Sequence, residues 1–376
     1  MSADGEGSSW FQRFLLPGFA FKAVVIGGGY ATGRELAEYF LPSGPRGGLA
    51  GILLAMAAWS LVCALTFLFA YRYCLFDYRA FFRALLGPAW IAFEVAYLLF
   101  VVVILAVFGA AAGAIGAATL GVPAIAGTLA LAAAIVLVAT FGNAAVERLF
   151  KYVSMLLYAV YALFVLLSLH AFGPQIARGF AAPAPVAGWA AGGITYAAYN
   201  VVGAVVILPV MRHMTSDRDA VLAGLVAGPL AMLPALLFFT CMVAFYPGIA
   251  GETLPSDAML RALGLPLFHL VFQGMIFAAL LESGTGAVHA VNERVAAAWR
   301  HRRGVDLGRG ARAALTAGLL VACIFVANGV GLVGLIARGY RLLAYALLAV
   351  YVLPLLTIGV VRLARAPVKG ARHAPA

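Results

Sequence analysis

An acidic residue and two hydroxyl residues lie close together inside a long apolar segment of this sequence. They are Glu282, Ser283 and Thr285, and the segment is predicted to run from Leu267 to Val291. A charge at the centre of a membrane-spanning helix costs at least ~3 kcal/mol, so such a carboxylate is normally paired, protonated or in contact with water. Because desolvation favours the neutral form of a carboxylic acid, Glu282 is a candidate proton carrier.

Other charged residues lie in the apolar segments and leave a second interpretation open. Arg34 and Glu35 are adjacent in the first segment, and Lys22 precedes them. A static salt bridge from Glu282 to Lys22 or Arg34 is the alternative to a proton carrier, and Glu35 has the same two interpretations, with Arg34 as its neighbour. The candidate ion-coupling residues are therefore Glu282, Ser283, Thr285, Gly27, Glu35 and Lys22.

The first apolar segment, predicted from Leu15 to Phe40, contains a run of glycines where a spanning helix should continue. The run reads GGGYATGRE, and each glycine lowers helix propensity by roughly 1 kcal/mol relative to alanine. A helix break at membrane depth must be buried in protein or line a wet cavity, and broken helices hold solutes and ions in many secondary transporters. A packing seam of small residues is the alternative. A break predicts solute contacts from Gly28, Gly29, Tyr30, Ala31, Thr32 and Gly33.

A similar interruption occurs in the sixth apolar segment. It reads GGITYAAYNVVG from Gly192 to Gly203. Interruptions at corresponding places in two halves indicate an inverted repeat with the binding site between the halves. Asn200 needs hydrogen-bond partners in mid-span, which a solute, an unwound backbone or a neighbouring helix could supply. The paired positions favour the solute, so Tyr196, Tyr199 and Asn200 are predicted to contact it.

The composition is that of an integral membrane protein built from helices. The chain has 376 residues, of which 65% are hydrophobic and 10% charged, and its mean hydropathy is +1.03. These values exclude a soluble enzyme. The predicted spans are Leu15–Phe40 (broken), Leu49–Tyr71, Ile91–Ala118, Val122–Phe141, Tyr152–Phe172, Ala190–Met211 (broken), Val221–Tyr246, Leu267–Val291, Ala313–Asn328 and Leu342–Val361. The chain then divides into a tail (1–14), one transmembrane domain (15–363) and a basic tail (364–376).

The net charge of +11 is explained by the orientation of the chain in the membrane and does not indicate a nucleic-acid partner. Arginines and lysines gather in alternate connections between the spans, whereas the other connections hold little beyond Arg46, Arg178 and Arg261. The positive-inside rule then predicts that both termini and the basic connections are cytoplasmic. The spans contain no catalytic set such as Asp–Asp, Ser–His or HExxH, so no enzyme is expected. No cofactor or metal is expected either, apart from a coupling proton or sodium ion.

Four stretches of the sequence resemble the YkvI-type bacterial membrane proteins, which are placed in the amino acid–polyamine–organocation superfamily. The stretches read GGGYATGRE, TYAAYNVVGAVVILP, LLESGTGAVHAVNER and GLIARGYRLLAYALLAVYVLPLLTIG. The resemblance covers nearly the whole chain and implies an all-α LeuT fold in the bacterial inner membrane. It also implies a five-plus-five inverted repeat with helices one and six broken at the solute site. In sodium-coupled members two adjacent hydroxyls of helix eight help to bind the ion, whereas Ser283 and Thr285 are two positions apart.

The sequence therefore predicts an ion-coupled secondary transporter, a symporter or antiporter, of a small solute. The mostly uncharged motifs favour a neutral or zwitterionic solute such as an amino acid. Its negative group is predicted to face the N–H groups of residues 31–33. A divalent-metal transporter of this fold would show Asp-Pro-Gly-Asn at the first break, which this chain lacks. The alternative function is a solute sensor that binds without net transport. The expected partners are the solute and the lipid bilayer, and no oligomeric state is predicted.

Overall fold

The protein is built from helices. A computed structural model describes residues 9–25, 32–141 and 144–365, apart from the side chains of 141–154, 301 and 309. Every regular element in these ranges is helical. The α-helices are α1 (Trp10–Phe14), α2 (Leu16–Val25), α3 (Arg34–Tyr39), α4 (Gly44–Tyr73), α5 (Tyr78–Leu86), α6 (Trp90–Leu120), α7 (Ala124–Phe141), α8 (Ala144–Ala181), α9 (Trp189–Asn200), α10 (Val202–Val206), α11 (Asp217–Met242), α12 (Pro255–Leu263), α13 (Pro266–Arg303), α14 (Arg309–Gly334), α15 (Tyr340–Leu347) and α16 (Val360–Arg365).

Among the described residues, six continuous helical stretches are long and apolar enough to cross a membrane. They are Arg34–Tyr73, Tyr78–Leu120, Met155–Ala181, Asp217–Phe245, Pro266–Arg300 and Gly310–Arg365. Each of the ten predicted spans overlaps a helix, but this count does not confirm ten. The first and sixth predicted spans contain only short helices, and the last two fall within one stretch that includes π-helical turns between α14 and α16.

Close packing of α4 against α11 shows how small residues position these helices. A methyl group on Gly224 would lie 2.7 Å from the backbone carbon of Cys63, so only glycine allows the two backbones to approach this closely. Pro229 lies inside α11 and has no N–H to donate to the carbonyl of Leu225 four residues earlier. The hydroxyl of Ser60 donates to that carbonyl at 2.8 Å. A side chain of α4 therefore satisfies the backbone acceptor that the proline leaves open.

The first predicted span is not one continuous helix. α2 is described as far as Val25, and α3 is preceded by Gly33, whose φ of 75° lies in the left-handed region. A Cβ atom there would lie 2.5 Å from Cε1 of Phe238, so both the backbone angle and the space require glycine. The predicted contact residues Gly28, Gly29, Tyr30 and Ala31, and the predicted ion ligand Gly27, lie outside the described residues.

The sixth predicted span is interrupted later than its glycines suggest. α9 continues through Gly192 and Gly193 to Asn200, and α10 follows after Val201. A methyl group on Gly193 would lie 2.6 Å from the carbonyl oxygen of Gly51 in α4. These two glycines therefore serve helix packing and do not unwind the chain. The interruption falls at the end of α9, where helical turns give way to α10 and a 3₁₀ segment from Leu208 to His213.

Candidate functional site

A cavity of about 330 Å³ lies between α2, α6, α8, α10 and α13. One face of α13 forms its longest wall, because the lining residues follow the three- and four-residue spacing of a helix face. These residues are Ala279, Glu282, Ser283, Gly286, Ala287 and Ala290. The structure therefore places Glu282 and Ser283 on the wall of a cavity, as a functional carboxylate in mid-span requires. We call this space the central cavity.

The opposite walls of the central cavity are mainly aromatic and aliphatic. The residues that form them are Ala23 and Val24 of α2, Tyr97, Phe100, Val101, Ile104 and Phe108 of α6, Leu157 and Tyr158 of α8, and Val206 of α10. Polar groups on the described walls come from Glu282, Ser283 and the two tyrosine hydroxyls. Such a wall can bury the apolar part of a small molecule while a few polar groups orient it.

The two hydroxyls predicted to hold sodium do not lie on the same face of α13. Ser283 lines the central cavity, whereas Thr285 is not among the lining residues. Two positions along a helix turn the side chain by about 200°, which separates them. The hydroxyl oxygen of Thr285 is buried and has no hydrogen-bond partner among the described residues. The structure thus does not bring these two hydroxyls together.

A second cavity of about 390 Å³ adjoins the central cavity. Both are lined by Tyr97, Val206 and Ala290, and the second extends along α13 to Arg294 and Ala297. From Glu282 to Arg294 the helix rises about 18 Å. The two cavities therefore form a path along α13 toward the end of the molecule that carries its basic connections, which we call the basic side.

Arg294 is held firmly beside this path. Its guanidinium carbon lies 3.8 Å from the ring centroid of Tyr78 and 3.7 Å from that of Tyr97. Its Nη1 donates to Glu94 Oε1 at 3.0 Å. Cation–π contacts on both faces and an ion pair at the edge join α5, α6 and α13 on the basic side.

Contacts around Arg34 join neighbouring segments on the side of the molecule opposite the basic side. We call this the closed side. Nη1 of Arg34 donates to the carbonyl oxygens of Ala250 at 2.8 Å and Glu252 at 2.9 Å, and its Nη2 pairs with Glu38 at 2.8 Å. The backbone N–H of Ser256 also donates to the carbonyl of Thr32 at 3.0 Å. These contacts fix α3 to the connection between α11 and α13 on the side opposite the basic one.

Glu35 is packed among tyrosines rather than paired with its neighbour Arg34. Its residue is 5% exposed, and its Oε2 accepts a hydrogen bond from the hydroxyl of Tyr199 at 2.6 Å. The rings of Tyr39, Tyr196 and Tyr340 pack around Tyr199, the nearest at a centroid distance of 4.5 Å. None of the ion pairs between described residues includes Glu35. Arg34, its expected partner, pairs with Glu38.

The predicted solute contacts of α9 belong to this tyrosine cluster. Tyr196 and Asn200 are buried, and Asn200 Nδ2 donates to the carbonyl of Tyr196 at 3.1 Å. The bond lies within α9 and does not link two helices. The hydroxyl of Tyr196 is buried and has no hydrogen-bond partner among the described residues. In this conformation these residues, like Tyr199, lie apart from the described walls of the central cavity.

Lys22 contacts an aromatic ring. Its Nζ lies 4.0 Å from the ring centroid of Tyr158. Neither Lys22 nor Arg34 forms an ion pair with Glu282 among the described residues. The sequence interpretation also missed Tyr97 and Tyr158, which line the central cavity. Tyrosine hydroxyls in the middle of apolar spans are the signal that could have identified them.

Comparisons with known proteins identify the fold. No family model matches the chain, and no curated protein matches it. A crystal structure of MhsT in complex with L-phenylalanine has a TM-score of 0.56 at 16% identity, covering 96% of this chain and 99% of that one. A manganese transporter of Eremococcus coleocola, in complex with an aromatic bis-isothiourea substituted compound, has a TM-score of 0.54 at 15% identity. That match covers 94% of this chain and 80% of the other.

A third solved structure is the substrate-bound outward-open state of a Na⁺-coupled sialic acid symporter. It has a TM-score of 0.56 at 12% identity, covering 94% of this chain and 81% of that one. Chains with such different solutes share one backbone arrangement, the LeuT fold. The chain described here has that fold, which confirms the LeuT fold that the sequence resemblance implies.

Proposed function

We propose that the protein is an ion-coupled secondary transporter of a small neutral or zwitterionic solute such as an amino acid. The central cavity is the observation that carries this proposal. It has a carboxylate and hydroxyls on a largely apolar wall, and it adjoins a second cavity that leads to the basic side. Contacts of Arg34 close the opposite side. A site that is accessible from one side at a time is the requirement for alternating access.

The proposal includes the finer architecture predicted from the sequence. In this proposal the chain has ten spans in a five-plus-five inverted repeat, with both termini in the cytoplasm of a bacterial cell. It is a YkvI-type member of the superfamily. The support for this architecture is the overlap of every predicted span with a helix and the collection of basic residues in alternate connections.

The solute is proposed to lie in the central cavity against Glu282 and Ser283. Rings of Tyr97, Phe100 and Tyr158 line this space and suit the apolar part of an organic solute. The predicted contacts from Tyr196, Tyr199 and Asn200 remain part of the proposal for the conformation in which α3 and α9 separate. In that conformation the bonds from Tyr199 to Glu35 and from Asn200 to Tyr196 would open toward the solute.

Glu282 is the proposed coupling group, and the proposed ion is a proton. An ion drives transport only if it binds one conformation better than the other. Glu282 lies on a cavity wall formed by α2 on one side and α13 on the other, so movement of α2 changes its surroundings. The separation of the Ser283 and Thr285 side chains on α13 supports a proton over sodium.

The test begins with ligand identification and ends with flux. Purified protein is screened by thermal shift against amino acids, polyamines and nucleobases, because a ligand of the native state stabilises it by mass action. The best ligand, radiolabelled, is then offered to proteoliposomes with an imposed proton gradient or, separately, a sodium gradient. Accumulation above the equilibrium level, absent from protein-free liposomes, is expected with the proton gradient. Stabilisation by a ligand that shows no flux under either gradient would contradict transport and favour the sensor.

A further inference from the structure

A third cavity, of about 190 Å³, lies between α2, α8, α11 and α13 and contains the side chain of Lys22. Its other described lining is apolar or aromatic and includes Tyr161, Val165, Leu233, Pro234, Leu237 and Met275. Leu157 and Tyr158 border both this space and the central cavity. Ser283 and Glu282 line only the central cavity, so the two spaces differ in charge. We call the third space the lysine cavity.

The ammonium group of Lys22 has unused hydrogen-bonding capacity in this cavity. Its described contacts are with aromatic rings, Tyr158 at 4.0 Å and Phe19 at 6.0 Å from Nζ to the ring centroids. The ion pairs between described residues do not include it. A ring face accepts one of the three N–H donors of an ammonium group. Two donors therefore remain for another partner, in a segment where a charge is normally paired.

We propose that the lysine cavity binds a small apolar carboxylate. The carboxylate accepts hydrogen bonds from Lys22, and the hydrocarbon part lies among Leu233, Leu237 and Met275. An inorganic anion would satisfy the ammonium group but leave the apolar walls bare. A lipid chain would cover the walls but leave the ammonium group without an anion. Only a ligand with both parts matches the charge and the lining together.

The size of the lysine cavity limits the ligand to a short one. Its volume of about 190 Å³ corresponds to roughly six water molecules at about 30 Å³ each. A single ring or a short alkyl chain with one carboxylate is therefore the appropriate size. Such a ligand would contact α2, α8 and α11 at once, so it would restrain α2 whether or not it is transported. The site does not depend on the proposed transport function.

The test is direct binding of benzoate and hexanoate to the purified full-length protein, with benzamide and hexanamide as neutral analogues. Calorimetry or thermal shift in detergent should detect the carboxylates and show at least tenfold weaker binding of the amides, because an amide oxygen can still accept from Lys22 but carries no negative charge. Lys22→Met should weaken carboxylate binding at least tenfold. Arg83→Met, which removes an exposed cation of α5, should leave it unchanged.

A second variant tests the location of the site while retaining the charge. Met275→Trp fills the lysine cavity and should abolish benzoate binding even though Lys22 is present. Circular dichroism and size-exclusion chromatography establish that each variant is folded. Three results would overturn the proposal: amides that bind as tightly as carboxylates, folded Lys22→Met with wild-type affinity, or folded Met275→Trp with wild-type affinity. Chloride competing as well as benzoate would also overturn it, since that identifies a plain anion site.

Discussion

Two of the glutamates in the apolar segments, Glu35 and Glu282, have opposite surroundings. Glu35 accepts a 2.6 Å hydrogen bond from Tyr199 and lies within a packed group of tyrosine rings. Glu282 lies on the wall of a 330 Å³ cavity that adjoins a second one. The chemical group is the same, but one is enclosed by protein and the other borders space for a solute. The environment, more than the residue type, is therefore the reason for proposing Glu282 rather than Glu35 as the coupling carboxylate.

The closed side owes its rigidity to hydrogen bonds that converge on one short helix. Within six residues, α3 carries Arg34, Glu35 and Tyr39, and each bonds to a different neighbouring element. Hydrogen bonds to three different elements restrain the position of α3. The described walls of the central cavity are largely apolar, so movement is expected to begin there.

Gly33→Ala should have the largest effect on the closed side. The new Cβ atom would meet the ring of Phe238 at 2.5 Å, and the residue would keep a φ of 75°. We expect a loss of on the order of 3 kcal/mol in the free energy of unfolding, measured by thermal or chemical denaturation in detergent. Gly274→Ala is the control, because nothing lies within 4 Å of its new atom. Equal stability of the two variants would mean that α3 is not packed as described.

Arg34→Gln should open the closed side without unfolding the protein. It removes the ion pair with Glu38 and weakens the hold on the carbonyls of Ala250 and Glu252. A Ser256→Cys probe, buried at 0% exposure, should then react roughly tenfold faster with a membrane-impermeant maleimide, the change expected for about 1.4 kcal/mol.

The labelling experiment needs two further controls. Cys74 is exposed and is replaced by serine in every sample. Arg46→Gln, a change at an exposed arginine that bonds elsewhere, to the carbonyl of Phe180, should leave the labelling rate unchanged. If Arg34→Gln labels at the wild-type rate, its hydrogen bonds do not keep this side shut.

Glu282→Gln should abolish the pH dependence of uptake while retaining solute binding. The substitution keeps the shape of the side chain but removes the group that gains and loses a proton. Glu35→Gln is the matched variant and should keep the pH profile, since Glu35 lies in the packed region. The measurement is initial uptake into proteoliposomes across pH 5 to 9. A flat profile in Glu35→Gln with a normal one in Glu282→Gln would reverse the assigned roles.

Tyr199→Phe and Tyr196→Phe compare a hydroxyl that forms a hydrogen bond with one that has no described partner. These two variants have the smallest expected effects on stability. Tyr199 donates to the Glu35 carboxylate, whereas the hydroxyl of Tyr196 is buried without a described partner. The first change should cost about 1–3 kcal/mol and the second nothing, because removing an unsatisfied polar group is neutral or favourable. Thermal denaturation of both variants measures the difference. Equal losses would contradict the assigned hydrogen bond.

Much of the fold could be predicted from the sequence because hydropathy and glycine patterns are local. The long apolar runs correspond to helices such as α4, α6 and α13, and Gly33 does adopt a non-helical, left-handed conformation immediately before α3. Gly192 and Gly193 misled the interpretation, since glycine serves both helix breaks and close packing, as at the carbonyl of Gly51. The partner that a glycine faces is not a local property of the sequence.

The candidate site was predicted in part. Position on the face of α13 follows from helical periodicity, so Glu282 and Ser283 lie together and Thr285 is turned away. The partner of Arg34 could not be predicted, because the neighbouring Glu35 and the more distant Glu38 compete for it. The side chain one turn along the helix lies closer in space than the adjacent one, and Nη1 of Arg34 donates to carbonyls more than two hundred positions away.

The ring of Tyr97 both packs against Arg294 and lines two adjoining cavities. Tyr97 supports the guanidinium at 3.7 Å and also borders both the central and the second cavity. A solute wider than the space beside Tyr97 would have to turn this ring. That movement would disturb the contacts of Arg294 that join α5, α6 and α13. The width of the space between the two cavities and the packing of these three helices thus depend on the same side chain. A smaller residue at position 97 would admit larger solutes and would also weaken the packing of the three helices.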